Sequence, residues 1–459
     1  MEHGGKKTAA AVHQEITREI DTLLPRIFAE RRKTGGLDIE AVELAWRTAL
    51  HAAGAAALTE LLRDPGPVQA SVPCPCGGKA RYKDMRRKPI LTVLGLAQML
   101  RAYYWCSHCR QGQFPADSAR DIEDTEFSPG VRRMLALVGS ECSSFDHGRQ
   151  QMELLADLKV TTKAVERVTE NIGADIAQRE QQTIQQAMQL ELQELPVAVG
   201  QPIPVVYVQM DGTGVPVTPK ETEGRSGKGE DGRAHTRDAK LGCVFTQTTT
   251  DAEGRPVRDE ESTTYTGAIE IASEFSRRIY TEAHQRGWSR AQKKVVMGDG
   301  AEWIWNIAAE QFPGAIEIVD LYHARQHLWE LGGKLHPNDE TAKRRWVMPH
   351  QHLLDGGKIE KLVTKLRKIS PDNPELAAVV RNEANYFEHH AERMRYPKFR
   401  SQNLFVGSGV IEAGCKTVIG SRAKRSGMFW SVRGANAVIA LRCCRHSRRF
   451  DDYWENRRG

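Results

Sequence analysis

Apolar residues recur at three- and four-residue steps through residues 14–63, in EITREIDTLLPRIFAERR and LDIEAVELAWRTALHAAGAAALTELLRD. That period predicts helices, with Pro25 placed to kink or break the first. The breaker-rich DPGPVQASVP follows as a linker. From residue 127 the helical period returns: FSPGVRRMLALVGSECSSFDHG opens on a Ser-Pro start. DHGRQQMELLADLKV and TTKAVERVTENIGADIA then read as two short helices across a tight turn, with Thr161 as N-cap and Lys163 and Arg167 on the outer face of the second. This predicts a helix-turn-helix-like pair, and the pattern fits DNA binding and plain packing equally well. A separate Gln/Glu-rich helix, QREQQTIQQAMQLELQEL, follows.

The period then changes. PVVYVQMD is almost wholly apolar, and KLGCVFTQTTTD and the run at STTYTG are suited to pair with it as antiparallel neighbours. ETEGRSGKGEDGRAHTRD, between the first two, reads as a loop. GAIEIASEFSRRIYTEAHQRGW is helical, KKVVMGD a strand, EWIWNIAAEQF a helix and IEIVDLYH a strand. Three strands, helix, strand, helix, strand is the order of a ribonuclease-H-like core, a mixed α/β fold. Residues 324–400 are almost entirely helical in pattern and interrupt that fold before its last helix.

Composition narrows the class. The 459 residues are 40% hydrophobic, with 65 Lys and Arg against 59 Asp and Glu, a net charge of +6. The mean hydropathy of −0.51 fits a water-soluble chain, no apolar run is long enough to span a bilayer, and MEHGGKKTAAAVHQ lacks a signal-peptide core. A cytoplasmic, nucleoid-associated location without membrane partners is expected. The overall charge says little; its distribution says more. Residues 416–449 carry Lys416, Arg422, Lys424, Arg425, Arg433, Arg442, Arg445, Arg448 and Arg449 and no acid. A run of that kind predicts phosphate contact.

Nine cysteines in such a chain argue against a disulfide framework. Four come as two close pairs, Cys74-Pro-Cys76 and Cys106-Ser-His-Cys109, about thirty residues apart across a strand-rich basic stretch. Zinc takes four thiolates in a tetrahedron, and two tight turns joined by a hairpin deliver them, so a zinc ribbon with bound Zn²⁺ is expected. The first pair is tighter than the usual spacing, and His108 stands beside the site as a competing ligand.

Acidic residues close both long apolar runs: Asp211 in VVYVQMDGTG and Asp299 in KKVVMGDGA. Glu412 lies in the small-residue segment GSGVIEAGCK. In a ribonuclease-H-like sheet the first and fourth strands are neighbours, so Asp211 and Asp299 would meet, and the final helix would bring Glu412. Three carboxylates so placed suit a pair of Mg²⁺ (or Mn²⁺) ions acting on a phosphodiester. Gly212, Gly300 and Gly409 beside them would admit a nucleic-acid backbone. Asp320, closing IEIVD, rivals Asp299; if Asp299 is the ligand, Asp320 and His323 become a supporting or substrate-positioning pair. Phosphate-loop and nucleophile-elbow motifs do not occur in the chain.

VQMDGTGVPV, KLGCVFTQ, KVVMGDGAEWIWN, IVDLYHARQHLWELG, YFEHHAERMRYPKFR, GSGVIEAGCKTVIGSRAKRSGMFWSVRGANAV and ALRC together resemble the ISKra-type bacterial insertion-sequence transposases, over roughly residues 70–455. The resemblance implies a DDE-class enzyme with Asp211, Asp299 and Glu412 as its triad. It further implies metal-dependent cleavage and strand transfer, the element's terminal inverted repeats and target DNA as partners, and at least a homodimer. The Asp320/His323 pair resembles the Asp/Cys-x-x-His motif of Mutator-like transposases, which also carry a helical insertion. Lys163, Arg167, Lys416, Arg422, Lys424, Arg425, Trp430 and Arg433 are the expected DNA contacts, Trp430 by stacking on an unpaired base or else as a buried anchor. A non-catalytic DNA-binding protein derived from a transposase is the alternative. The expected organisation is a helical region at 1–66, zinc ribbon at 67–120 and helix-turn-helix-like domain at 121–196. The catalytic core follows at 197–323, with the helical insertion at 324–402 and the remainder of the core with basic helices at 403–459.

Overall fold

The structure, a computed structural model, describes residues 2–29, 32–33, 36–191, 202–227 and 232–458. The chain forms two compact units, residues 1–169 with 454–459, and residues 170–453.

In the first unit, helices α1 (Glu2–Ala29) and α2 (Ile39–Leu61) carry the predicted helical period, and Pro25 lies inside α1 without ending it. Asp38 caps α2 by accepting from the Ala41 amide. A four-stranded antiparallel sheet follows, in the order β1 (Ser71–Pro73), β2 (Lys79–Thr92), β3 (Gly95–Cys106), β4 (Gln111–Gln113). The first cysteine pair sits on the β1–β2 turn and the second on the β3–β4 turn, while Ala80 pairs with Cys106 across β2 and β3. This is the ribbon architecture. Helices α3 (Pro129–Glu141) and α4 (Phe145–Ala156) come next, and α5 (Thr162–Glu191) begins in this unit and continues as the first element of the second. Ser128, Ser144 and Thr161 cap them in turn through bonds from the amides of Val131, His147 and Ala164. α4 ends on Asp157 in the left-handed conformation, giving the helix-turn-helix-like turn. α5 corrects the expectation of two helices: it absorbs the Gln/Glu-rich segment into one 30-residue helix. No Gly or Pro breaks the period between the two, so nothing stops the helix; residues 192–195 of that segment lie outside the described residues.

The second unit is a ribonuclease-H-like α/β core. Its strands are β5 (Ile203–Pro216), β6 (Thr236–Gln247), β7 (Thr264–Ala268), β8 (Ala291–Gly298) and β9 (Ile316–Val319), in the sheet order β7-β6-β5-β8-β9. β5, β6 and β7 pair antiparallel, and β8 runs parallel to both β5 and β9. Helices α6 (Ala272–Gln285) and α7 (Glu302–Gln311) make the crossovers. Val205 to Met210 of β5 are all buried, which is why the central strand reads as an unbroken apolar run. Part of the loop expected between β5 and β6 (228–231) lies outside the described residues.

Four longer helices form the insertion: α8 (Leu321–Leu335), α9 (Glu340–Asp355), α10 (Ile359–Leu366) and α11 (Pro374–His389). The chain returns to the sheet through 401–408 and enters the short helix α12 (Gly409–Gly414), a π-helical turn at Cys415–Gly420, and α13 (Val432–His446). The wide turn leaves carbonyls without their usual partners. Arg442 of α13, 3% exposed, donates Nε to the Val418 carbonyl at 2.7 Å and a terminal nitrogen to the Thr417 carbonyl at 2.5 Å.

A candidate phosphodiester site at the end of the central strands

Asp211 and Asp299 leave the sheet at the same end. Met297 of β8 pairs with Gln209 of β5, so Asp299, two residues on, comes level with Asp211. The Asp211 carboxyl is pushed up by burial, held back by bonds from the Cys415 thiol and the Gly212 amide, and pushed up further by the negative charges of Asp299 and Glu412. Asp211 therefore feels the charge of two acids carried by other elements at the sheet end. Asp299 also accepts from the Ala301 amide at 2.8 Å, closing the turn that leads into α7.

Glu412 is exposed on α12 and is held in place by residues that sequence reasoning passed over. Gln209, wholly buried on the same face of β5 as Asp211, accepts from the Ile411 amide at 3.1 Å and donates to the Met297 sulfur at 3.2 Å. One side chain thus bolts α12 to β5 and β8. Asp320 is also wholly buried. Its main-chain amide donates to Gly298 at 2.8 Å, one carboxylate oxygen accepts from the His323 amide at 2.6 Å, and the other accepts from the Ser408 amide. Both oxygens are spent on backbone, one capping α8 and the other fixing the approach to Glu412. That geometry separates its role from that of exposed Glu412 and half-buried Asp299. The polar residue in a VVYVQMD strand was the available signal for Gln209.

His323 joins a chain that reaches into the insertion. Its Nε2 lies 3.3 Å from His327 Nε2, and His327 Nδ1 lies 2.8 Å from Glu383 of α11. The His327 ring stacks on Tyr386 at 4.0 Å. A methyl group added at Gly300 would sit 2.1 Å from the Tyr386 ring. This corrects the expectation that Gly300 opens space for nucleic acid, because Tyr386 fills it; the space beside Gly409 is open.

The basic run 416–449 is less free than its sequence suggests. Arg422, 1% exposed, lies against Trp430. Trp430 is buried and donates its indole N–H to the Ala423 carbonyl at 3.1 Å, while its backbone bridges to Pro216 and Thr218 at the end of β5. These two expected DNA contacts are therefore corrected: both are interior, and Trp430 is an anchor. Arg442 braces the π turn, Arg448 pairs with Glu261, and Arg449 forks onto buried Glu282. Lys416, Lys424, Arg425 and Arg433 are exposed. The Lys424 ammonium donates to the Thr213 hydroxyl, two residues past Asp211, which sets a cation beside the acids. In the first unit, Lys163 and Arg167 are exposed and paired with Glu166 and Glu126, each at 2.7 Å. Exposed pairs are worth about 0–1 kcal/mol, so a phosphate competes easily for either cation.

The sulfurs of Cys74, Cys76, Cys106 and Cys109 all lie within 4.8 Å of one another. Cys74 is 3.6 Å from Cys109, and Cys76 is 3.7 Å from Cys106. A tetrahedron with metal–sulfur bonds of about 2.3 Å has edges of about 3.8 Å, which those two distances match, so the quartet could hold a zinc-sized ion. Among the described residues no other group is gathered so tightly. No helix among the described residues is long and apolar enough to cross a membrane.

No family model matches the chain, and no curated protein does. A solved structure, a Drosophila P element transposase strand transfer complex, aligns with 74% of this chain and 83% of its own at 8% identity, with a TM-score of 0.24. A likeness that slight carries no weight for fold or function.

Proposed function

We propose that this chain is a DDE-class DNA transposase, cleaving the ends of an insertion sequence and joining them to target DNA. What carries the reading is the register that brings Asp299 level with Asp211 at one end of a ribonuclease-H-like sheet, with the charges of Asp299 and Glu412 both felt at Asp211. Asp211, Asp299 and Glu412 would hold two Mg²⁺ or Mn²⁺ ions, which in such sites activate the attacking oxygen and stabilise the leaving one. The Asp211 carboxyl is raised by burial first and by its acidic neighbours after, so the three acids together lack positive charge, and this fits divalent cations. The chain's own residues do the positioning. Gln209 and Asp320 fix the segment carrying Glu412, and Lys424 offers a cation to a phosphate beside β5. The reaction is two in-line displacements: water opens the phosphodiester at the element end, and the freed 3′-hydroxyl attacks the target strand. Zn²⁺ in the cysteine quartet would set the ribbon's two turns, and Lys163, Arg167, Lys416, Lys424, Arg425 and Arg433 would contact DNA.

The test is nicking of a duplex carrying the DNA that flanks this reading frame, with Mg²⁺ or Mn²⁺. Metal-dependent nicking is expected, lost in Asp211→Ala with DNA binding retained. Nicking that survives in Asp211→Ala overturns the assignment. Salt-sensitive binding without nicking under either metal leaves the chain as a non-catalytic DNA-binding protein.

A further inference from the structure

Tyr386 of α11 lies against the turn that carries Asp299. A methyl group added at Gly300, the next residue, would sit 2.1 Å from its ring and 3.0 Å from its hydroxyl oxygen. Glu383, Tyr386 and His390 follow one another at three- and four-residue steps, so α11 offers all three on one face. Glu383 bonds the His327 ring, and His390 donates to the Gly300 carbonyl. Tyr386, between them, stacks on His327 with 14° between the rings and meets Phe387 edge-on at 5.3 Å. The helical insertion thus fixes the phenol in place beside the end of β8.

The Tyr386 hydroxyl oxygen is shut away from solvent, yet no described residue bonds it. A buried hydroxyl without a partner weakens a fold, so its retention calls for a reason outside the fold. The Tyr396 hydroxyl is also buried and without a partner, so the two do not bond each other. Burial pushes the Tyr386 phenol well above its ordinary value, and the negative charges of Asp299, Glu383 and Asp320 push it further, in that order. The phenol therefore stays neutral, and Asp299 is the acid that acts on it most.

We propose that the Tyr386 hydroxyl accepts from a hydration water of the divalent cation held at Asp299, so that the insertion supplies one group of the catalytic centre. The inference rests on the transposase reading for the cation and adds a positioning residue to it. Mg²⁺ keeps several of its waters when carboxylates bind it, and those waters donate outward. A neutral phenol accepts and donates at once, so its own O–H remains for a phosphate oxygen. Tyr386 is the one group of α11 that is both turned to the Asp299 turn and left without a bond inside the fold; Glu383 and His390 are spent on His327 and Gly300.

The experiment measures Mn²⁺ binding to the full chain, loaded with zinc and free of DNA, by the electron paramagnetic resonance signal of unbound Mn²⁺. Wild type should bind Mn²⁺, and Asp211→Ala should lose it. Tyr386→Phe removes only the oxygen. It should weaken Mn²⁺ binding about 10- to 100-fold, the usual effect of losing a group behind a metal's own ligands. Its urea midpoint without Mn²⁺ should equal or exceed that of wild type, because a hydroxyl with no partner in the fold is lost. Wild-type Mn²⁺ affinity in Tyr386→Phe overturns the inference, and so does a lowered metal-free midpoint, which would mean that the hydroxyl serves the fold; either leaves the transposase reading standing. Mn²⁺ binding that is absent from wild type, or unchanged by Asp211→Ala, overturns both.

Discussion

Replacing Gln209 by Met isolates the bolt between the central strand and the helix that carries Glu412. Methionine nearly matches glutamine in length and volume, so packing around β5 is preserved and only the amide's polar bonds are lost. The bond that matters is the 3.1 Å contact from the Ile411 amide. Gln209 is wholly buried and Ile411 is 1% exposed, so water does not replace the missing acceptor. A buried N–H left without a partner costs about 1–3 kcal/mol. The Met297 sulfur is a weak acceptor, and losing its contact adds little. Gln209→Met should therefore lower stability by about 1–3 kcal/mol in urea unfolding followed by tryptophan fluorescence. The functional loss should be larger in proportion. Glu412 is the residue after Ile411, and a displacement of about 1 Å in a reacting group costs on the order of 100-fold in rate. Metal-dependent nicking should fall accordingly, while duplex affinity, set by surface cations, stays near wild type. Wild-type stability with wild-type nicking in Gln209→Met would show that α12 is held by something else.

Gly300→Ala forces the Tyr386 ring to move by more than an ångström and should cost about 1–3 kcal/mol, as over-packing does; Gly300→Ala combined with Tyr386→Ala should recover part of it in the same unfolding assay, and additive losses would sever Tyr386 from Asp299's turn. Asp211 titrates above the ordinary carboxyl value of 3.8 in the folded chain, so the folded state holds the proton more tightly than the unfolded one. Metal-free stability should thus fall as pH rises from 3.8 through that raised value. Asp211→Asn should remove this falling limb and be the more stable protein at neutral pH, and added Mg²⁺ should stabilise wild type alone; urea midpoints across that range decide it. Elemental analysis should find one zinc per chain, abolished in Cys106→Ser, with Trp105 emission changing on chelation while the quartet empties; a metal-free chain with an unchanged ribbon spectrum would sink the zinc assignment.

The parts of this fold that announce themselves are those set by burial along one stretch of chain. The apolar runs ending at Asp211 and Asp299 mark β5 and β8 because both faces of those strands are covered. The two cysteine pairs mark the ribbon's turns because their spacing is local. What stayed hidden depends on partners far off in sequence. Arg449 looks like one of nine unopposed cations until Glu282, well over a hundred residues earlier, closes on it. Gln209 looks like a polar blemish in a strand until Ile411 arrives from the other side of the insertion. Trp430 reads from sequence either as a buried anchor or as a base-stacking ring, and the β5 end bonded to its backbone decides for the anchor. Helix α5 was divided in expectation because the composition changes there, but composition does not end a helix; only a cap or breaker does.

The π turn at Cys415–Gly420 sets the phase between acid and cation. One surplus residue in a helical turn rotates everything after it by about 100° relative to everything before it. Glu412 lies upstream of that offset, and Lys424, bonded to Thr213, lies downstream. Deleting a single residue there would shorten the chain trivially, yet it would swing the ammonium to another azimuth and strand Arg442's guanidinium without the carbonyls it braces. In this stretch length itself is information, and a homologue one residue shorter would need its lysine at a different position to reach the same strand.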